Sequence, residues 1–159
     1  DYFLRPGYIY LPDQYTSIST VLGSSVSVSV FDKKMRFGGM NHFLYPETTD
    51  RRKSTSFYGN VAIETLIHMM INNGANTKHM EAQIFGGAFN SKFSLKNIGS
   101  QNISTARKIL KSNKIRIVSE DIGGEIGRKI IFDSHNSEIA ILKVKNLRAS
   151  DWYPYETDR

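Results

Sequence analysis

Between Ser24 and Phe31 the chain alternates strictly, with Val26, Val28 and Val30 on one face and Ser25, Ser27 and Ser29 on the other. Period two with β-branched residues predicts a strand. Asp32-Lys33-Lys34-Met35 reads as a polar turn, after which Arg36 to Leu44 resumes in extended form up to Pro46. Tyr45 to Ser56 is polar and charged, an exposed loop. Ile63, Leu66, Ile67, Met70 and Ile71 then fall at helical spacing and form one apolar stripe. Ser54 to Ser56 offer caps before this helix, and Asn73-Gly74 is a stop signal after it.

Further on, Glu81 to Phe85 predicts a strand running into Gly86-Gly87. A second helix fits Gln101 to Ser112, with Ile103, Ala106, Ile109 and Leu110 inward and Arg107, Lys108 and Lys111 outward. Strands follow at Ile115 to Ser119, Arg128 to Phe132 and Ile139 to Val144, separated by turns at Ile122 to Gly127 and Asn136-Ser137. Asp151 to Arg159 reads as a loose tail anchored by Trp152 and Tyr153. With no internal repeat and no linker, the pattern predicts a single α+β domain, two principal helices on mainly antiparallel strands.

Composition narrows the picture. The chain has 159 residues, ordinary globular hydrophobicity and no run long enough to span a bilayer. It starts at Asp1 rather than Met, which points to a trimmed form of something slightly longer, and Phe3-Leu4 followed by Arg5-Pro6-Gly7 is no signal peptide. With no cysteine, disulfides and thiolate metal sites are excluded, and the cytoplasm is the expected compartment. A net charge of +6 favours an acidic partner. The one dense basic run, Arg51-Arg52-Lys53, reads better as a solvated loop than as part of a nucleic-acid-binding surface.

Chemistry has few candidates. His68, His79 and His135 lack local partners and read as surface or packing residues, and no histidine spacing supports a metal site. Gly86-Gly87 and Gly123-Gly124 lack the rest of a phosphate loop, so tight turns are the better reading. His42 differs. A turn centred on Lys33-Lys34 would place Ser25 directly across the hairpin from it, within reach of a hydroxyl–imidazole hydrogen bond. Serine beside histidine is the nucleophile–base arrangement of acyl transfer. Gly23-Ser24 just before could aim backbone N–H groups at a developing oxyanion.

Leu22-Gly23-Ser24-Ser25-Val26 resembles the L-G-S-C-V motif of the CheD family, the chemoreceptor glutamine deamidases of chemotaxis. His42-Phe43-Leu44-Tyr45-Pro46 is similar to the family's H-x-x-L-P segment. Phe85-Gly86-Gly87-Ala88, Asn97-Ile98-Gly99 with Asn102, and Glu120-Asp121-Ile122-Gly123-Gly124 followed by Gly127-Arg128-Lys129 resemble further blocks. The likeness spans roughly Tyr8 to Val144, leaving residues 145–159 as a tail.

The resemblance implies a three-layer α/β/β sandwich, no cofactor, and a cysteine–histidine hydrolase converting receptor glutamine to glutamate. It makes Ser25 the nucleophile position and His42 the base, and places a hydroxyl that orients the histidine on Ser19. Thr20 is the second choice for that role; Thr20, Gly23 and Ser24 are expected at the substrate. The implied partners are the cytoplasmic domain of a chemoreceptor, typically rich in Glu, and a CheC-type phosphatase. Ser25 and Ser29 stand where the family and many of its members, respectively, have cysteine. A hydroxyl is a far poorer nucleophile than a thiol, so this chain is expected to be inactive or strongly impaired. The two serines fit an introduced replacement and equally a relative that kept binding and lost chemistry. The alternatives to a deamidase are a non-catalytic adaptor and, less favoured, a basic nucleic-acid-binding domain.

Overall fold

The computed structural model describes residues 1–145; the expected anchoring at Trp152 and Tyr153 lies outside the described residues. In chain order the elements are β1 (Tyr2–Phe3), β2 (Ile9–Tyr10), β3 (Ser17–Leu22), β4 (Val26–Asp32), β5 (Phe37–Asn41), α1 (Gly59–Asn72), β6 (Met80–Gly86), α2 (Ile98–Ser112), β7 (Arg116–Ile122), β8 (Gly127–Asp133) and β9 (Ile139–Val144). The strands form two sheets, ordered β2-β5-β4-β6-β7 and β1-β3-β8-β9. Pairing is antiparallel except for β1 with β3 and β6 with β7.

The α/β/β layering follows from the two faces of β4. Val26, Val28 and Val30, fully buried, join Ile63, Leu66, Ile67 and Met70 of α1 and Ile103, Ala106, Ile109 and Leu110 of α2 in one core. Phe31, on the opposite face, joins Ile18, Leu22, Met40, Phe85, Ile130 and Phe132 in a second core between the sheets. Each fully buried aliphatic side chain contributes about 1.5–3 kcal/mol, so the central strand is stabilised from both sides.

Several expectations change in detail. Ile71 ends the predicted stripe of α1 but is exposed. Ser54 to Ser56 do not cap that helix: it begins after Tyr58, without a side-chain cap, because the preceding segment folds into a separate 3-10 turn, Arg51–Lys53, capped by Asp50. Gly86, Gly87, Gly123 and Gly124 all take positive φ, as tight turns there require. The three amino-terminal strands were not legible from the pattern; β1 and β2 have only two residues each.

The hairpin register also differs. Ser29 pairs with Met40 and Asp32 with Phe37, so the loop is four residues, Lys33 to Arg36, and Ser25 is not directly opposite His42. The Asp32 carboxylate accepts from the N–H groups of Lys34 and Met35, and Arg36 takes φ 59°, which together stabilise the longer turn. The shift is by an even number of positions, so every side chain keeps its face.

Candidate active site

His42 lies just beyond β5, where the two strands part. Asn41, fully buried, inserts its Oδ1 against the Val28 N–H at 3.0 Å in place of a backbone partner. Pairing resumes at one bridge, Val26 with Phe43, closed by backbone hydrogen bonds of 3.1 and 2.9 Å. Ser25 and His42 flank that bridge on the same face. The imidazole therefore reaches its serine diagonally, with Nε2 2.8 Å from Ser25 Oγ.

On the other side of the ring, Nδ1 lies 2.8 Å from Thr20 Oγ1, which donates its only proton to the Leu4 carbonyl, also at 2.8 Å. Towards Nδ1 the threonine can then only accept, so Nδ1 carries the hydrogen of the neutral ring. Nε2 is left with a lone pair facing the serine hydroxyl, the tautomer a general base needs. Burial pushes the His42 pKa down to about 4, outweighing the Leu4 carbonyl, which acts in the opposite sense. The ring is neutral near pH 7.

The hydroxyl against His42 is that of Thr20, not Ser19. Along β3, successive side chains alternate, and Ile18, Thr20 and Leu22 are the buried set facing between the sheets. Ser19 belongs to the opposite face. Thr20 is fully buried behind the histidine, which also removes it from the expected substrate contacts. The polar–apolar alternation of Ser17, Ile18 and Ser19 is the signal for a strand, in which Thr20 shares the face of Ile18.

Gly23 and Ser24 do line an open groove of about 700 Å³, together with Leu44, Tyr45, Phe89, Phe93 and Lys96 among others. Ser24 is exposed, while Ser25 is 6% exposed. Among the described residues, the N–H groups of Ser24 and Ser25 have no intramolecular acceptor, so both can serve an oxyanion. His68 and His135 are exposed and His79 half-buried, none near this site's contacts. No cluster of metal-ligating side chains occurs among the described residues, and no described helix is long and apolar enough to cross a membrane.

An α/β/β sandwich that holds a hydroxyl–imidazole pair at the ends of its central β4–β5 hairpin, beside an open groove, defines a hydrolase-type scaffold. The CheD family model, described as CheD chemotactic sensory transduction, matches residues 44–143. A probable chemoreceptor glutamine deamidase CheD of Sulfurimonas denitrificans is 36% identical over 146 residues, covering 90% of this chain and 94% of the relative. One of the same description from Methylobacillus flagellatus is 38% identical over 150 residues, with 91% and 74% covered. A probable chemoreceptor glutamine deamidase CheD 2 of Shewanella oneidensis is 42% identical over 143 residues, covering 82% and 70%. The chain belongs to the CheD family.

Proposed function

We propose that this chain is a chemoreceptor glutamine deamidase scaffold with Ser25 in the nucleophile position, and that its own activity is strongly impaired. The observation that carries this reading is the relay Ser25–His42–Thr20–Leu4, in which each hydrogen bond has one assignable direction. The relatives named as glutamine deamidases supply the substrate class.

The residues act as follows. A glutamine side chain entering the groove presents its amide carbon to the atom at position 25. That atom attacks as its proton passes to His42 Nε2, and the tetrahedral oxyanion is held by the Ser24 and Ser25 N–H groups. Collapse breaks the C–N bond; the nitrogen takes the proton from His42 and leaves as ammonia. Water, deprotonated by the same Nε2, hydrolyses the acyl intermediate to glutamate. Thr20 keeps the imidazole oriented throughout.

A thiol suits this site better than a hydroxyl. The Nδ1 partner is a neutral hydroxyl rather than a carboxylate, so the imidazolium formed on taking the serine proton is poorly supported. The same burial that holds the His42 pKa near 4 opposes that charge. A cysteine, already a few per cent thiolate near neutrality, asks less of the base.

The test compares the chain with Ser25→Cys on a glutamine-bearing receptor fragment, following ammonia and the amide-to-acid mass change. Conversion by the cysteine form alone is the expected result. Binding by both forms with conversion by neither would overturn the deamidase reading. It would favour the second one, a cytoplasmic adaptor for receptors or a CheC-type phosphatase, which the serine at position 25 beside an intact groove supports.

A further inference from the structure

The block Asn97-Ile98-Gly99 with Asn102 has no part in the chemistry above, yet it all converges on the site. Asn97 caps α2 by accepting from the Ser100 N–H at 3.0 Å. A Cβ on Gly99 would lie 2.3 Å from the Gly87 carbonyl oxygen, so only glycine lets the first turn of α2 rest on Gly87-Ala88. Those two residues donate their own N–H groups to the carbonyls of Ser25 and Gly23, each at 2.9 Å.

Asn102, one turn further along, is fully buried. Its Nδ2 donates to the Ser24 carbonyl and to the Leu44 carbonyl, each at 3.0 Å. Both partners are acceptors, so only the amide nitrogen can face them and the orientation of the group is fixed. Ser24 adjoins Ser25, and Leu44 follows His42 by two residues. Its Oδ1 has no hydrogen-bond partner, so the amide acts here through its donors alone. We infer that Asn102 is a positioning residue: one buried amide on α2 ties the nucleophile loop to the histidine segment and sets the gap across which Ser25 and His42 meet. It adds to the Val26–Phe43 bridge and to the contacts of Asn41 with Ser27 Oγ and the Val28 N–H, and unlike them it reaches the two segments from a helix.

The inference rests on the deamidase reading for the reaction it serves, but its test does not. The chain has no cysteine, so Ser25→Cys supplies a sole thiol, and iodoacetamide alkylation across pH reads how that thiol sits against His42. Nitrogen NMR of the histidine rings reads, in the unmodified serine chain, whether Nε2 stays hydrogen-bonded. Asn102→Leu, apolar and of similar volume, is expected to shift the alkylation profile and abolish the Nε2 signature. Asn102→Ser, which keeps one donor, should fall between and decides the matter where the leucine variant does not fold. Ile109→Ala, at a buried site on the same helix, is the control: it lowers Tm and moves neither readout. If the Asn102 variants lower Tm and leave both readouts unchanged, the residue is merely structural and the inference is overturned. Where Ser25→Cys releases ammonia, adding Asn102→Leu should lower kcat about 100-fold with little change in KM. Absence of ammonia from Ser25→Cys alone counts against the deamidase reading, while the thiol and imidazole still report on Asn102.

Discussion

Burial holds the His42 imidazole at a pKa of about 4, against 6.5 for the ring in an unfolded chain. Between those values the unfolded state binds the extra proton and the folded state does not, so stability rises with pH across the window. The contribution is complete above about 6.5 and lost as pH falls towards 4, at up to about 1.4 kcal/mol per pH unit. Urea unfolding at steps from pH 7 to 4.5 should show this slope, and His42→Leu should flatten it; a parallel slope in the variant would assign the effect elsewhere. That Ser25 and His42 meet was legible from hairpin spacing, although through the wrong register. The even shift to a four-residue loop preserved the face, and the ring's length covered the diagonal. Of the two neighbouring hydroxyls expected behind the ring, Ser19 first and Thr20 second, it is the second that stands there, because in a strand one residue is the whole difference between two faces. Ser29 is 1% exposed and its hydroxyl has no hydrogen-bond partner. A thiol at that position would need none.

At the scale of elements, the β4–β5 turn is tied to the loop after α1 through one carboxylate. Asp32 is fully buried and accepts from the N–H groups of Lys34, Met35 and Asn76 at 2.9, 2.8 and 3.0 Å. Burial alone would raise its pKa; the three N–H donors, helped by His79, outweigh that and hold it below the ordinary carboxylate value. Its contribution is therefore present above the unfolded carboxylate pKa of about 3.9 and lost as pH falls through the lower folded value. Asp32→Ala should destabilise by about 1–3 kcal/mol in urea titrations at pH 7, with the gap to the parent narrowing at pH values below the ordinary carboxylate range. An equal gap at both values would mean that the charge plays no part. The two helices were the best-read elements, since 3.6-residue periodicity over several turns is a local signal. On α2 the outward basic residues also behave as read: Arg107 pairs with Glu120 and Lys108 with Glu47, both at the surface. The start of α1 carries no capping-serine signal because its first N–H, that of Gly59, is met by two backbone carbonyls, those of Tyr45 and Pro46.

For the molecule as a whole, the net charge of +6 acts over distances longer than any single contact. Association with a Glu-rich receptor fragment should be fast at low ionic strength and slow markedly as NaCl approaches physiological levels, where the screening length is about 8 Å. Stopped-flow on-rates that do not respond to salt would remove charge from the account of how the partner is found. The sequence by itself determined the helices, the central alternating strand with its two faces, the glycine turns and the ordered motifs of the family. These are short-range patterns, or depend only on residue identity. Tertiary structure decided by what path Ser25 reaches the histidine, and which hydroxyl stands behind the ring. It also brought Asn102 of α2 onto the carbonyls of Ser24 and Leu44, 78 and 58 residues away in sequence. Contacts between segments so far apart are set by how the layers stack and how the strands register, which no local periodicity encodes.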